Sequence, residues 1–236
     1  MLKVELHAHT ADDPRDCIPY DTIELIDRAA ELGYQALAIT LHDKQLDVLQ
    51  IAAHARDRGL VIIPGIERTI CGKHVLLLNF SRSAERVESF EDVRRLKARS
   101  NGLVLAPHPF YPATCCLHGY LDRYADLFDA VELNAFYTRT IDFNRPAIKW
   151  AKAHGKAVVG NADVHRLEQL GTTYTLIDAA PHPTAICEAI RAGRVEVRTQ
   201  PISLVQAARH LGKLLFGDLS RSLHLRPQPA ISERIS

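Results

Sequence analysis

The chain has 236 residues, 47% of them hydrophobic and 24% charged, with a formal net charge of +1 at pH 7. That length fits one large domain or two small ones around a sizeable core, and the small net charge argues against a general affinity for nucleic acid or an anionic membrane. No apolar run approaches the ~18 residues that span a bilayer, and five scattered cysteines without CxxC spacing point to reduced thiols in the cytoplasm rather than a secreted disulfide scaffold.

Short apolar runs alternate with longer amphipathic stretches. Residues 2–6 read as a strand that begins the fold at once, with no signal-peptide core before it. Residues 21–32 read as a helix with Ile23, Ile26, Ala29 and Ala30 on one face and Gly33 as its stop. Residues 35–40 form a buried strand, 45–58 a helix closed by Gly59, 60–64 a strand and 74–78 another. A helix over 90–99 precedes a strand over 102–106, and a helix over 121–127 precedes a strand over 130–133. A helix over 145–153, closed by Gly155, leads to a strand over 157–160. A strand over 173–177, a helix over 183–191 and a last strand near Val195 complete the pattern. Repeated βα units predict a mostly parallel sheet with helices outside it. Seven or eight strands close into a barrel; an open doubly wound sheet is the alternative, and no GxGxxG turn supports it. Beyond about Thr199 the pattern changes. Residues 204–216 can form an amphipathic helix, and 220–236, with few apolar residues, read as a loosely packed tail or an interaction arm.

Twelve histidines stand out, and their placement matters more than their number. His7 and His9 end the first strand two residues apart, so both imidazoles point to one side and can share an ion. His42 follows the second strand, Glu67 the third, and His108 the strand that ends at Ala106. Asp163 and His165, again two apart, follow the strand over 157–160. Only His74 departs from this rule, because it opens its strand. The C-terminal ends of parallel barrel strands meet at one mouth, so residues distant in sequence converge there. Imidazole and carboxylate donors suit Zn, Mn or Fe, and the lack of a cysteine cluster argues against a purely structural zinc site. Of the other histidines, His54 lies within a helix and His154 at a helix C-terminus, where a cation is favourable. His182, His210 and His224 show no partner pattern. His118 is a candidate substrate contact, because its loop follows His108.

The motifs Glu5-Leu6-His7-Ala8-His9-Thr10, Ala38-Ile39-Thr40-Leu41-His42-Asp43, Gly65-Ile66-Glu67, Lys73-His74-Val75-Leu76, Ala106-Pro107-His108-Pro109 and Asn161-Ala162-Asp163-Val164-His165, in this order, resemble the PHP (polymerase and histidinol phosphatase) family over residues 1–198. The resemblance implies an α/β fold, a distorted (β/α)7 barrel of the PHP type, with residues 199–236 as a C-terminal helix and tail. It implies two or three divalent metal ions (Mn, Fe or Zn). His7, His9, Glu67 and Asp163 would hold one. Glu67 would bridge to a second held by His74 and His108, and a loop acid, His42 and His165 would hold a third. For that acid Asp16, nearest the following helix, is favoured over Asp13. Two departures from the family pattern stand out: the Asp12-Asp13-Pro14-Arg15-Asp16 loop, and Leu41, where the family usually has an acid. Asp43 supplies a nearby carboxylate or caps the next helix. Glu132 reads as a supporting carboxylate rather than a ligand.

The implied activity is hydrolysis of a phosphate ester by metal-activated water, with a small phosphomonoester or nucleotide as substrate. Alternatives are a 3′ exonuclease on oligonucleotides and a non-catalytic metal-binding module. Glu67, His42 and His165 are the expected catalytic groups. Arg15 and His118 are the expected substrate contacts, with Arg139 and Arg166 as further cations near the mouth. An amidohydrolase-type site is disfavoured, because the bridging place falls on Glu67 and not on a lysine. The expected partner is a small phosphorylated molecule, with no membrane and no stable nucleic-acid binding.

Overall fold

Helix starts and stops follow local chemistry. In the computed structural model, which describes residues 1–208, β1 (Leu2–Glu5) leads to α1 (Thr22–Glu31). The Asp21 carboxylate accepts from the Glu24 backbone N–H while the Glu24 carboxylate accepts from that of Asp21, a reciprocal cap. Leu25, Ile26 and Ala29 form the buried face. After β2 (Ala36–Ile39), α2 (Val48–Asp57) begins three residues later than expected. Asp47 caps it, and Gln45 instead bonds to Glu85 and the Phe80 carbonyl.

The largest departure from expectation is β3 (Val61–Ile70), which is ten residues long. It turns through Cys71 and Gly72, both at positive φ, into β4 (Lys73–Leu78). Two successive left-handed residues match the twist of a tight hairpin, and β4 runs antiparallel to β3. Then come α3 (Phe90–Ala98), β5 (Leu103–Ala106), α4 (Gly119–Arg123), β6 (Ala130–Asn134), α5 (Asn144–His154) and β7 (Ala157–Asn161). The chain closes with β8 (Thr173–Ile177), α6 (Pro183–Arg191) and β9 (Val195–Thr199). Helix α4 lies earlier than the expected 121–127 and ends at Arg123. Residues 204–208 are helical; the rest of the expected helix, the tail, His210 and His224 lie outside the described residues.

The nine strands form one sheet in the order β7-β6-β5-β4-β3-β2-β1-β8-β9. The expected mostly parallel barrel is therefore mixed: β1-β2-β3 and β5-β6-β7 are parallel, while β4, β8 and β9 run antiparallel to their neighbours. The sheet curls until β7 meets β8 and β9. Gly160 and Thr175 exchange two bonds there, at 2.8 and 2.9 Å. At the mouth the chain beyond β1 meets the chain beyond β7 in a short parallel bridge, with His9 N–H donating to the Val164 carbonyl and Val164 N–H to the His7 carbonyl, both at 3.0 Å. The two histidine motifs thus close the barrel. Alternate residues Leu2, Val4, Leu6, Ala36, Ala38, Leu76, Leu78, Leu103 and Leu105 pack with Ile186, Ala189 and Ile190 of α6 in one apolar cluster. No helix among the described residues is long and apolar enough to cross a membrane.

Closure depends on a bare backbone at Gly160. A Cβ there would lie 2.6 Å from Val197 Cγ1, 3.0 Å from Thr173 Cγ2 and 3.2 Å from the Tyr174 carbonyl. Gly160→Ala should therefore cost about 1–3 kcal/mol through overpacking. Chemical denaturation measures it, and an unchanged midpoint would mean that this wall is loose.

Candidate metal centre

The hairpin explains the one histidine that broke the sequence rule. Because β4 runs back from the far end of β3, its first residues lie at the mouth, and His74 arrives beside Glu67 from the neighbouring strand. Glu67 itself lies within β3, not after it. It is 1% exposed. Its Oε2 lies 3.3 Å from His7 Nε2, 3.4 Å from His9 Nε2 and 3.2 Å from His42 Nε2. Its Oε1 lies 2.8 Å from His74 Nδ1 and 3.4 Å from His108 Nε2. Asp163 Oδ1 lies 3.3 Å from His7 Nε2, 3.6 Å from His9 Nε2 and 3.5 Å from His165 Nδ1. Asp16 reaches His165 Nε2 at 3.1 Å and lies 3.7 Å from His42 Nδ1.

Buried acids orient these rings. Glu132, fully buried, takes His7 Nδ1 at 2.9 Å and accepts from the His108 backbone N–H at 2.8 Å and from Asn161 Nδ2 at 2.9 Å. Asp13 takes His9 Nδ1 at 2.9 Å and His42 Nδ1 at 3.0 Å, and accepts from the His42 N–H. Both candidate acids of the first loop therefore reach the centre, Asp13 behind two rings and Asp16 beside a third. Glu5 accepts from the backbone N–H groups of His7 and Ala162. Asn134 Nδ2 donates to Glu132 and Asp163. The supporting roles of Glu5, Asn134 and Asn161 escaped the sequence reading; the only signal was a charged or amide residue inside an otherwise apolar strand. His108 (φ 28°) and Asp163 (φ 50°) sit in left-handed backbone, a strain that persists where surrounding contacts over-determine it.

Of the predicted substrate contacts, Arg15 stands beside the first-loop acids, its backbone N–H donating to the Asp13 carboxylate at 2.8 Å, and His118 lies in the loop that follows His108. Arg15 is half-exposed at the rim, paired with Asp43 and donating to Thr69 Oγ1 at 2.9 Å. Asp43 also pairs with Arg68 and accepts from the Thr69 N–H, so it joins the first loop to β3 and does not cap the next helix. His118 is exposed, and its Nε2 lies 3.3 Å from the Ala113 carbonyl of its own loop. Leu41 is fully buried in the apolar layer beside α1 and α2. No disulfide joins the cysteines.

These donors fit a metal centre. His9 Nε2, Glu67 Oε1 and His74 Nδ1 are buried without a hydrogen bond. Glu67 Oε1 and His74 Nδ1 are only 2.8 Å apart, yet they are not aligned as donor and acceptor. Buried polar atoms left this way are costly unless something between them takes their lone pairs. Five sets of three ligand atoms lie within 4.8 Å of one another: His7–His108–Asp163, His7–His9–Glu67, His9–Asp13–His42, His9–Asp163–His165 and His42–Glu67–His74. Nitrogen and carboxylate donors without thiolate suit a divalent transition metal.

Charge coupling is strong. Burial would raise the Glu67 carboxyl, but the His7 and His74 charges and the close approach of the His108 and His7 rings hold it well below the usual range. Asp163 is likewise held well down against burial by His7 and His165. Burial would lower His108 and His165, but Glu67 and Asp163 raise the former, and Asp163 and Asp16 the latter, each to about 9. A histidine raised in the folded state contributes stability below its ordinary value near 6.5 and loses it as pH rises through the folded value. Chelator-treated protein should therefore lose stability between about pH 6.5 and 9. Metal uptake should strengthen over the same window, because an imidazolium has no free lone pair. Denaturation midpoints at three pH values, with and without metal, measure both; a metal-free midpoint that climbs with pH would refute the charge pairing.

A family model described as PHP-associated matches residues 142–195. No curated protein matches the chain in sequence. Among solved structures, a two-domain protein from Bacteroides vulgatus containing a predicted PHP-like metal-dependent phosphoesterase is 20% identical, with a TM-score of 0.67, covering 88% of this chain and 68% of that one. PsfC from Pseudomonas syringae is 16% identical, with a TM-score of 0.62 over 95% and 100% of the chains. The lesion-specific endonuclease Q of Pyrococcus furiosus is 15% identical, with a TM-score of 0.59 over 89% and 66%. A structure of endonuclease Q with a 27-mer duplex has the abasic lesion at the active site (TM-score 0.55). That complex corrects the expectation against nucleic acid: a net charge averages the whole surface, and a barrel of this kind does take DNA at its active site. A PHP-associated segment is thus set in a barrel whose fold is similar to that of a protein containing a PHP-like phosphoesterase.

Proposed function

We propose that this chain is a metal-dependent phosphoesterase acting on a small phosphomonoester or nucleotide, with two or three divalent ions (Mn, Fe or Zn) at the barrel mouth. The carrying observation is that the two oxygens of Glu67 face different histidines, Oε2 toward His7, His9 and His42 and Oε1 toward His74 and His108. Glu67, His7, His9 and Asp163 would hold one ion. Glu67, His74 and His108 would hold a second, and Asp16, His42 and His165 a third. Such ions, when bound, clamp phosphoryl oxygens and lower the pKa of a water.

The chain's own groups do the rest. Glu67 fixes the spacing between its two sets of histidines. Glu132 and Asp13 keep Nδ1 of His7, His9 and His42 occupied, so Nε2 of each faces the centre. His165, one-third exposed beside Asp16, is placed to give a proton to the leaving oxygen where only two ions bind. Arg15, exposed beside Asp43, exchanges that carboxylate for a substrate phosphate, a charge-assisted contact of the same kind. His118, exposed in the loop after His108, is a second candidate substrate contact. The catalytic unit takes in residues 1–198, since β9, the last strand of the sheet, ends at Thr199. A reducing, cytoplasmic setting agrees with five cysteines and no disulfide.

A second reading, cleavage of a nucleic-acid strand, draws on the endonuclease Q complex, in which a similar barrel takes duplex DNA at its active site. Strand cleavage should fall steeply with salt as released counterions return, whereas turnover of nucleoside monophosphates or p-nitrophenyl phosphate should change little. Assaying both substrate types across a salt series separates the readings.

Complete chelation should abolish turnover, and full activity in metal-free protein would end the proposal. Glu67→Gln should lower activity about 100-fold or more, since even groups behind the ligands are worth 10–100-fold. It should weaken two ions together; the loss of one alone, by metal analysis, would argue against the bridge. A fully loaded protein that turns over no phosphoester would leave a binding module.

A further inference from the structure

The histidines of the centre do not all have the same support. His7, His9, His42 and His165 each set Nδ1 against an oxygen, from Glu132, Asp13, Asp13 and the Asp163 carbonyl, at 2.9 to 3.0 Å. His108 differs: its Nδ1 lies 3.4 Å from Sγ of Cys116. Cys116 is buried, and backbone bonds place it: its N–H donates to the Ala113 carbonyl at 3.2 Å, and the His118 N–H closes the loop on the Pro109 carbonyl at 2.9 Å. The preceding residue acts on the neighbouring ligand. The Cys115 carbonyl accepts the His74 backbone N–H at 2.8 Å. His74 and His108 are the two histidines beside Oε1 of Glu67. One dipeptide therefore braces both.

We propose that Cys115-Cys116 is the support for the Glu67 Oε1 half of the centre, with Cys116 as a positioning residue that accepts the Nδ1–H of His108. The inference rests on the metal-centre reading above. A neutral imidazole carries one proton, and the partner of one nitrogen decides which. His108 Nε2 faces Glu67, so it can offer a lone pair there only if the proton sits on Nδ1, against the sulfur. A thiol sulfur is a weaker acceptor than a carboxylate. The Oε1 half is accordingly the softer half of the centre, the one that depends on a thiol.

The test compares the full-length unaltered chain with Cys116→Ala and Cys116→Ser, titrating Zn and Mn against a chromogenic chelator and measuring metal content after dialysis. Alanine should weaken one ion about 10- to 100-fold and leave the others unchanged. Serine, which keeps an acceptor at that place, should restore most of the loss. Equal binding by alanine and unaltered protein, or equal losses in both variants, overturns the proposal. Should alanine fail to fold, nitrogen-15 imidazole spectra of the metal-loaded unaltered chain decide: the proposal requires His108 to carry its proton on Nδ1, and a proton on Nε2 ends it. An unaltered chain that takes up no ion sinks the metal-centre reading and this one with it, whereas normal uptake with indifferent variants sinks this one alone.

Discussion

A buried carboxylate surrounded by imidazoles is the constraint on which this architecture turns. Glu67 has His7, His9, His42, His74 and His108 within 3.4 Å of its oxygens. Taking an ionised carboxylate out of water is costly unless it is paired or ligates a metal. The imidazoles gathered around it are in turn held by Asp13, Asp163 and Glu132. Neither sign of charge is tolerable in this interior without the other, so the ligands and their supports form one electrostatic unit. The unit is assembled by the strands: β3 runs on to Ile70 and carries Glu67 to the mouth, and the hairpin brings His74 back to meet it.

The same interior shows why barrel closure and site formation are one event. The bridge between the first and last histidine motifs uses backbone groups of His7, His9 and Val164, so barrel closure positions those rings. Glu5 and Asn161 fasten the seam from inside, Glu5 through the His7 and Ala162 N–H groups and Asn161 through the Leu6 N–H and Glu132. The left-handed backbone at His108 and Asp163 is tolerated within this bonding. At the other end α6 packs its apolar face against the strands and leaves the polar mouth as the place for chemistry.

Charge at the mouth is a local quantity. A formal +1 over 236 residues is compatible with a rim that carries Arg15, Arg68 and Asp43 in one network and with a centre that gains positive charge when ions bind. The composition therefore had no power to exclude a polyanionic substrate, and the DNA complex of endonuclease Q, on a similar barrel, makes the point directly.

Much of this was legible in the linear chain. Helices and strands followed from periodicity and stop residues, as at Gly59 and Gly155, because those signals act over a few residues. The ligand candidates were legible because imidazoles and carboxylates recur at strand ends, and pairs two apart must share a side of a strand. The sequence was silent where the deciding contacts were long-range. It gave no sign that β4 and β8 run against the other strands, since strand direction is set by which edge is free to pair. It did not say that Asp13 would stand behind His9 and His42 while Asp16 reached His165, because a loop's acids are sorted only by what packs above them. Nor could it place Cys116 behind His108: residues eight apart meet there because the 107–118 loop folds back on itself, and only the folded chain fixes that return.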